Sequence, residues 1–553
     1  MMKNKSVMNF AFQNVPAVHA PRSVFNRNSG YKSSLDTDYL YPVFCDEVLP
    51  GDTMNLKASL LFRLNSQALK PFMDNLYIST FYFFVPNRLL WDNWKRFMGE
   101  QANPGDSISF SVPQITGPNV ASGGIPIGHL YDYMGIPVGP LSGGGATTGI
   151  TFNNLHGRAY NQIWNVHFRD QNIQTAVTED KGDGPDTFAN YNLKKRGKRF
   201  DYFTGALPNP QKGSVAVSLP LGTQATVKAS TTTLLTGAQQ AVRWNDDSGS
   251  LRNNSKILVT GNTGYIYESA TAGAATSGNG FYPNNLYADL TNATAATINA
   301  LRDAITLQQF LERDARGGTR YPELLVSHFG VTNPDSRVQR PEILGISTTR
   351  LNLSPVAGTN QVGTGATAQG VLSAFGTASD FNGFTKSFTE HGVILGLVCA
   401  HADLTYQQGL DRMWSRRSRY DFYWPTFANL GEQYIANKEI YANLADGSGG
   451  SQKDGVFGYI PRYDEYRFKP SKITGNMRSY NGNSVNANTL DIWHLSQAFS
   501  SQPTLSSTFI ESNTPLDRCI AVPAAEHFIL DAYFELKHAR VMPTYAIPGI
   551  KKL

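Results

Sequence analysis

Cysteine is almost missing from this chain of 553 residues: Cys45, Cys399 and Cys519 are three, an odd number, and far apart. That spacing supports neither a disulfide framework nor a zinc site, and it fits a reducing compartment. Charge is scarce as well, at 16% of residues. No apolar run is long enough to span a membrane; the nearest, Val393 to Ala400, is short. The opening MMKNKSVMNF lacks the apolar core of a signal peptide, so a soluble product made in a cytoplasm is expected. The signatures G-x-S-x-G, H-E-x-x-H and C-x-x-C do not occur. GGGATTG at 143–149 lacks the Lys-Ser/Thr ending of a phosphate loop. The acidic loop EDKGDGPD at 179–186 fails the calcium-loop spacing. His156 and His167 on a helical stretch read as packed or exposed histidines. Glu390, His391, His401 and Asp403 read as polar ends of a buried strand. No catalytic residue, cofactor site or metal site is singled out.

What the chain has is glycine (50), proline (29) and aromatic residues (12%), the composition of a loop-rich β protein whose surface meets neighbours. Its charge is unevenly placed. Residues 1–35 carry Lys3, Lys5, Arg22, Arg27 and Lys32 with no acid, and after Glu535 come Lys537, Arg540, Lys551 and Lys552, again with no acid. A mildly acidic body with basic ends is the footprint of a polyanion gripped by arms. The densest basic run is Lys194, Lys195, Arg196, Lys198 and Arg199, either a solvated loop or a phosphate contact.

Along the chain, residues 1–34 read as an extended basic arm. Met54 to Leu64 alternates cleanly as a half-buried strand, with Leu61 alone breaking the pattern. Leu76 to Val85 is apolar on both faces and reads as a central strand. Leu90 to Met98 carries an aromatic helical stripe ending at Gly99, and Leu155 to Phe168 is a second helix. Residues 102–150 and 358–383 read as low-complexity loops, and 221–280, rich in Thr, Ala, Gly and Asn, as a surface insertion. Thr297 to Gly330 is a helical interlude: Ile298, Leu301, Ile305 and Leu311 form an apolar face, Gly317-Gly318 stop the first helix, and Gly330 stops the second. Phe388 to His401 and Phe528 to Val541 read as strands. Between them, Tyr406 to Glu432 interleaves aromatics with Arg412, Arg416, Arg417 and Arg419. That pattern suits contacts between subunits, where aromatics and arginine are enriched, or stacking on single-stranded nucleic acid.

Several long segments, in order, carry a resemblance. NVPAVHAPRSVFNRNSGYKSSLDTDYLYPVFCDEVLPGDT (14–53), FFVPNRLLWDNWKRFMGEQ (83–101), KRFDYFTGALPNPQKG (198–213), LERDARGGTRYPELLVSHFGV (311–331), PDSRVQRPEILG (334–345) and GYIPRYDEYRFKPSKITG (458–475) are similar to the major capsid proteins of microviruses, in the gokushovirus branch. Asn209 departs from the pattern, where an aromatic is expected, and the likeness lapses in the three low-complexity stretches. The resemblance implies a mainly β chain: an eight-stranded antiparallel jelly roll with long inserted loops and several short helices. It implies one capsid domain over 1–553, with the arm at 1–34, a threefold protrusion at 221–280 serving host attachment, a helical insertion at 297–330 and a basic tail at 536–553. It also implies a virion protein that assembles in a bacterial cytoplasm as a T = 1 shell around circular single-stranded DNA, without membrane insertion. Implied partners are copies of itself, the phage's internal scaffolding, small DNA-binding and pilot proteins, and a host surface receptor. The rival class is a secreted β-rich carbohydrate-active enzyme or adhesin, disfavoured by the missing signal peptide and by carboxylates that nothing marks as a pair.

Overall fold

Side-chain alternation along a few long strands fixes where the core lies. The computed structural model describes residues 22–119, 123–139, 149–213, 298–359, 370–443, 452–482 and 484–545, together with short strands between 226 and 289. The chain divides into two compact units, residues 1–210 with 314–553, and residues 211–313.

The first unit contains β1 (Ser23–Asn26), β2 (Ser29–Leu35), β3 (Tyr41–Val48), β4 (Thr53–Leu64) and β5 (Leu76–Pro86). After helix α1 (Leu155–Ile163) come β6 (Glu342–Arg350), β7 (Asn352–Ala357), β8 (Leu372–Ser387), β9 (Gly392–Ala402), β10 (Glu432–Ala436), β11 (Val456–Pro461) and β12 (Phe528–Arg540). One sheet runs β1–β12–β4–β8–β7, with β2 also on β12; the other runs β6–β5–β9–β3. The pairings in both are antiparallel.

The inner residues of β4 (Met54, Leu56, Ala58, Leu60, Phe62, Leu64) and β12 (Phe528, Leu530, Ala532, Phe534, Leu536) face Leu76, Ile78, Tyr82 and Phe84 of β5, with Ile394 and Val398 of β9. Each fully buried Leu or Phe contributes roughly 1.5–3 kcal/mol. The opposite faces of β5 and β9 are covered too. Phe81, Phe83 and Val85 with Val393, Leu395, Leu397 and Cys399 pack against Ala159, Tyr160 and Ile163 of α1. Burial on both faces is why these two strands read as continuous apolar runs. Close approach fixes Gly157 on α1: a Cβ there would lie 2.2 Å from Asn154 Oδ1 and 2.5 Å from the Tyr131 hydroxyl. A third cluster joins Tyr202 and Phe203 to Ile435, Ile440, Phe457 and Phe509.

Several expectations shift. The arm expected over 1–34 is already strand at Ser23–Asn26 and Ser29–Leu35, and the tail expected from 536 is strand through Arg540 with Leu536 buried. The helix expected over Leu90–Met98 is two single turns, Asn87–Leu90 and Trp94–Phe97, with Trp91 buried between them. The loop expected over 358–383 contains the start of β8, a strand of 16 residues. Its inner positions up to Asp380 are Ala374, Gly376, Ala378 and Asp380, so the alternation there carries little hydrophobic signal. They are small because space is short: a Cβ on Gly376 would stand 2.8 Å from both Leu64 and Leu351. Asp380 is tolerated inside because Thr80 Oγ1, Ser347 Oγ, Thr349 Oγ1 and Asn382 Nδ2 all donate to it, at 2.6–3.1 Å.

Helices α2 (Ile298–Arg316) and α3 (Tyr321–Phe329) fall within the expected helical stretch, and Gly318 and Gly330 take positive φ at their ends. Leu301, Ile305 and Leu307 of α2 are about half exposed. In the second unit, strands 226–229 and 286–289, 244–246 and 281–283, and 256–259 and 266–269 pair antiparallel in a nested series. The chain runs out and returns along itself. The expected insertion at 221–280 lies in this unit, and most of its residues are outside the described ones. No helix among the described residues is long and apolar enough to cross a membrane.

Candidate functional site

The basic run 194–199 is stitched into the fold. Leu40 N donates to Lys194 O (3.0 Å), Arg196 N to Asp38 O (2.8 Å), Ser512 N to Arg196 O (2.9 Å) and Lys198 N to Ile510 O (2.8 Å). Its cations lie over rings: Lys195 over Tyr39, Arg196 over Phe81, Lys198 over Phe509 at 4.3 Å and Arg199 over Tyr77. Arg196 also donates to Ser79 Oγ (3.2 Å), and Arg199 to Asp403 Oδ1 (2.7 Å). Burial lowers the pKa of Lys194 and Arg196 and brings Lys198 down to about 8. Ring contacts and backbone bonds thus hold much of this run against the body of the fold, while the Arg199 side chain stays 46% exposed.

The expected cations near the N-terminus are also engaged. Arg22 donates to Thr53 Oγ1 (2.8 Å) and Lys32 lies 3.4 Å from Asp531. Arg27 grips Asp46 with two bonds, at 2.7 and 3.0 Å. Lys3, Lys5, Lys551 and Lys552 lie outside the described residues. Arg27 belongs to a chain of groups that sequence spacing did not reveal. Its Nη1 lies 3.1 Å from His538 Nδ1, His538 Nε2 lies 2.9 Å from Asp52 Oδ2, and Arg540 closes on Asp52 at 2.9 Å. His538 and Asp52 are wholly buried. Burial lowers the His538 pKa. It pushes the Asp52 carboxyl up, but Arg540, the Leu49 amide and His538 outweigh it and hold that pKa below the usual value.

The polar groups around β9 do not converge. Arg88 clamps Glu390 at the start of the strand, at 2.5 and 3.1 Å. His401, near its other end, meets Ser79 Oγ at 3.0 Å, and burial followed by Arg196 and Arg199 takes its pKa to about 3. The acids of 179–186 are used internally. Arg158 makes two bonds to Asp186, at 2.6 and 2.8 Å and fully buried, Trp91 donates to Asp183, and the Tyr191 hydroxyl donates to Asp180.

The arginine–aromatic segment is built differently. Glu439 Oε1 accepts from Arg412 (3.1 Å) and the Ala436 amide (2.9 Å), and Glu439 Oε2 from the Tyr202 hydroxyl (2.8 Å). Glu465 accepts from Arg416 (3.3 Å) and Gln433 (2.7 Å). The Arg416 guanidinium lies 4.5 Å above Tyr466 and 5.4 Å from Phe422. The buried Glu439 and the partly buried Glu465 thus neutralise Arg412 and Arg416 and brace the loop they carry. That loop exposes Trp414 (70%), Leu430 (62%), Tyr420, Phe422, Tyr423 and Trp424. Beside it opens a cleft of about 320 Å³, lined by Tyr202, Phe203, Arg412, Arg416, Glu439 and Glu465. Arg417 and Arg419 stay exposed beside these rings, so the loop offers aromatic surface with two of its four arginines paired, a composition enriched where proteins meet.

Comparison with known proteins matches residues 13–550 to the family described as Capsid protein (F protein). The chain is 44% identical to the capsid protein VP1 of Bdellovibrio phage phiMH2K, over 98% of this chain and 97% of that one. It is 41% identical to the capsid protein VP1 of Chlamydia phage 1 (100% and 99% covered) and 34% identical to that of Spiroplasma virus 4 (97% and 96%). With a family match over nearly its whole length and such relatives covered end to end, the chain belongs to the phage capsid protein (F protein) family.

Proposed function

We propose that this capsid subunit closes with copies of itself into a T = 1 icosahedral shell around circular single-stranded DNA, and that its two sheets form an eight-stranded jelly roll. The observation that carries the shell reading is the likeness to capsid proteins along the whole chain. The jelly-roll reading rests on strand order. Counting β2, β3, β4, β5, β6, β8, β9 and β12 as first to eighth, one sheet runs first–eighth–third–sixth and the other second–seventh–fourth–fifth. Nested antiparallel pairing of that kind is what a long ribbon wrapped around a core produces. The exposed aromatics of 414–430 and the half-exposed apolar residues of α2 supply apolar surface for contacts between copies.

The role is structural rather than enzymatic. Contacts to the genome fall mainly to cations at the chain ends, Lys3, Lys5, Lys551 and Lys552, because Lys195, Arg196, Lys198 and Arg199 already lie over rings. The nested segment around 221–280 forms the outer protrusion used in host attachment. Internal scaffolding, small DNA-binding and pilot proteins and a host receptor complete the partners, with assembly in the host cytoplasm. Expression with the other phage proteins, followed by light scattering and electron microscopy, tests this reading. Closed megadalton particles with nuclease-protected single-stranded DNA are expected. A clean monomer at high concentration, with no particles in the presence of the other proteins, overturns it.

A further inference from the structure

The one residue that breaks the alternation of β4, Leu61, points outward and is 49% exposed. Its direct cross-strand neighbours are Ser379 and Asp531, and outward apolar groups lie one row away. Cross-strand register places Phe381 (78% exposed) and Tyr533 (46%) on either side of Ser59, one row from Leu61, and Ile529 (46%) beside Arg63, one row away on the other side. Phe381 and Tyr533 stand two strand spacings apart, roughly 10 Å, with only a serine between, so each ring keeps an open face. The outward positions of β4 between Asn55 and Arg63, and those of β8 between Phe375 and Thr385, hold no carboxylate. They carry Lys57, Arg63, hydroxyl residues and the apolar groups already named. The acids of this face are confined to β12 and are opposed there. Asp531 pairs with Lys32 at 3.4 Å, and Glu535 lies directly across from Lys57.

We infer that the outer face of the β12–β4–β8 sheet, centred on Leu61, Phe381 and Tyr533, is a stacking platform for single-stranded nucleic acid. The chemistry fits that occupant. Flat rings on a sheet stack bases without reading sequence, neighbouring cations offset phosphates, and serine and threonine hydroxyls hydrogen-bond the backbone. A surface for another protein copy has less reason to keep two of its strands free of acid while presenting open rings. The inference rests on the reading that the shell encloses single-stranded DNA, and it names a surface that the basic residues alone did not mark.

The test uses intact particles purified with their genome, whose nucleic acid content is measured first. After ultraviolet irradiation and digestion, nucleotide adducts are expected on peptides spanning 372–387 and 528–540. In parallel, full-length subunits from dissociated shells are titrated with a thymidine oligonucleotide. The double variant Phe381→Ala/Tyr533→Ala is expected to bind about tenfold more weakly with an unchanged salt slope, while Arg63→Gln flattens the slope. All three side chains are exposed on a sheet face, so folding is expected to survive. Adducts confined to other peptides, with unaltered oligonucleotide affinity, overturn the platform and leave the genome reading standing. Failure of the double variant to assemble, with no adducts on these peptides in the parent particle, makes the face a protein interface and also overturns it. Particles that contain no DNA overturn the genome reading itself, and the platform with it.

Discussion

At the scale of single residues, the most consequential group is His538. Its Nδ1 faces the permanent donor Arg27, against which the neutral ring can accept, and its Nε2 lies 2.9 Å from Asp52 Oδ2. Protonating Nδ1 would set a cation against the Arg27 guanidinium. Burial lowers the His538 pKa, so between that value and the ordinary one near 6.5 the folded chain binds fewer protons than the unfolded chain. Stability from the neutral ring is therefore present above pH 6.5 and is lost as pH falls through the folded value. Asp52, also lowered, acts in the same direction at more acidic pH. The corner joining β1, the β3–β4 turn and β12 is expected to loosen on acidification, read as faster amide exchange in Ser23–Asn26 at pH 5 than at pH 7.5. His538→Gln, which can still accept from Arg27 and donate to Asp52, should erase the part of that difference above pH 5; an unaltered difference refutes the role. Lys198 gives the opposite kind of result. Its pKa of about 8 marks a desolvated ammonium. Stability is expected to rise from pH 8 to 10.5, where the unfolded chain binds more protons. Lys198→Met keeps the packing on Phe509, so it should remove that slope while genome retention is unchanged. Loss of DNA from Lys198→Met shells would return this lysine to the genome contacts. Neither group was legible in the sequence. The partners of His538 come from positions 27, 52 and 540, which only the sheet register brings together, and a basic run looks the same whether its ammonium groups face water or rings.

At the scale of elements, legibility follows the size of the inner side chains. β4 and β12 declare themselves because Leu, Phe and Met fill most of the alternate positions, and β5 and β9 because both faces are buried. The first half of β8 hides because its inner positions from 374 to 380 are Ala, Gly, Ala and Asp, with Leu64 and Leu351 crowding Gly376. The helices α2 and α3 were readable from caps and spacing. The arginines of 412–419 stood out as a composition, but their acids, Glu439 and Glu465, lie more than twenty residues away and carry no local signal. Those acids decide what the loop does. Glu439→Ala leaves Arg412 and Tyr202 facing a buried gap and is expected to cost about 3 kcal/mol of subunit stability, measured by denaturant unfolding. Trp414→Ala removes an exposed ring that touches little within the subunit. It should leave unfolding unchanged while raising the concentration at which shells form. A Trp414→Ala protein that assembles like the parent would remove this loop from the contacts between copies.

At the scale of the whole molecule, the division into two units follows from where pairing is local and where it is not. The sheets of the first unit join residues hundreds of positions apart, such as Val24 with Ala539 and Leu56 with Leu536, so this unit cannot form until most of the chain is present. The nested strands of the second unit draw only on residues between 226 and 289, and this self-containment makes a segment removable. The cut should respect the nesting. Replacing residues 230–285 with a short Gly-Ser linker keeps the outermost pair, 226–229 with 286–289, to close the ends. Ordering a residue costs roughly 1–2 kcal/mol of backbone entropy, and the described strands of this segment pair with one another rather than extending the two sheets. The shortened chain is expected to form shells that retain DNA, seen by electron microscopy and nuclease protection, and to lose most of its adsorption to host cells. Shells that adsorb normally would take host attachment away from this segment. Failure to form shells, with the shortened subunit still folded, would place the segment among the contacts that hold the copies together.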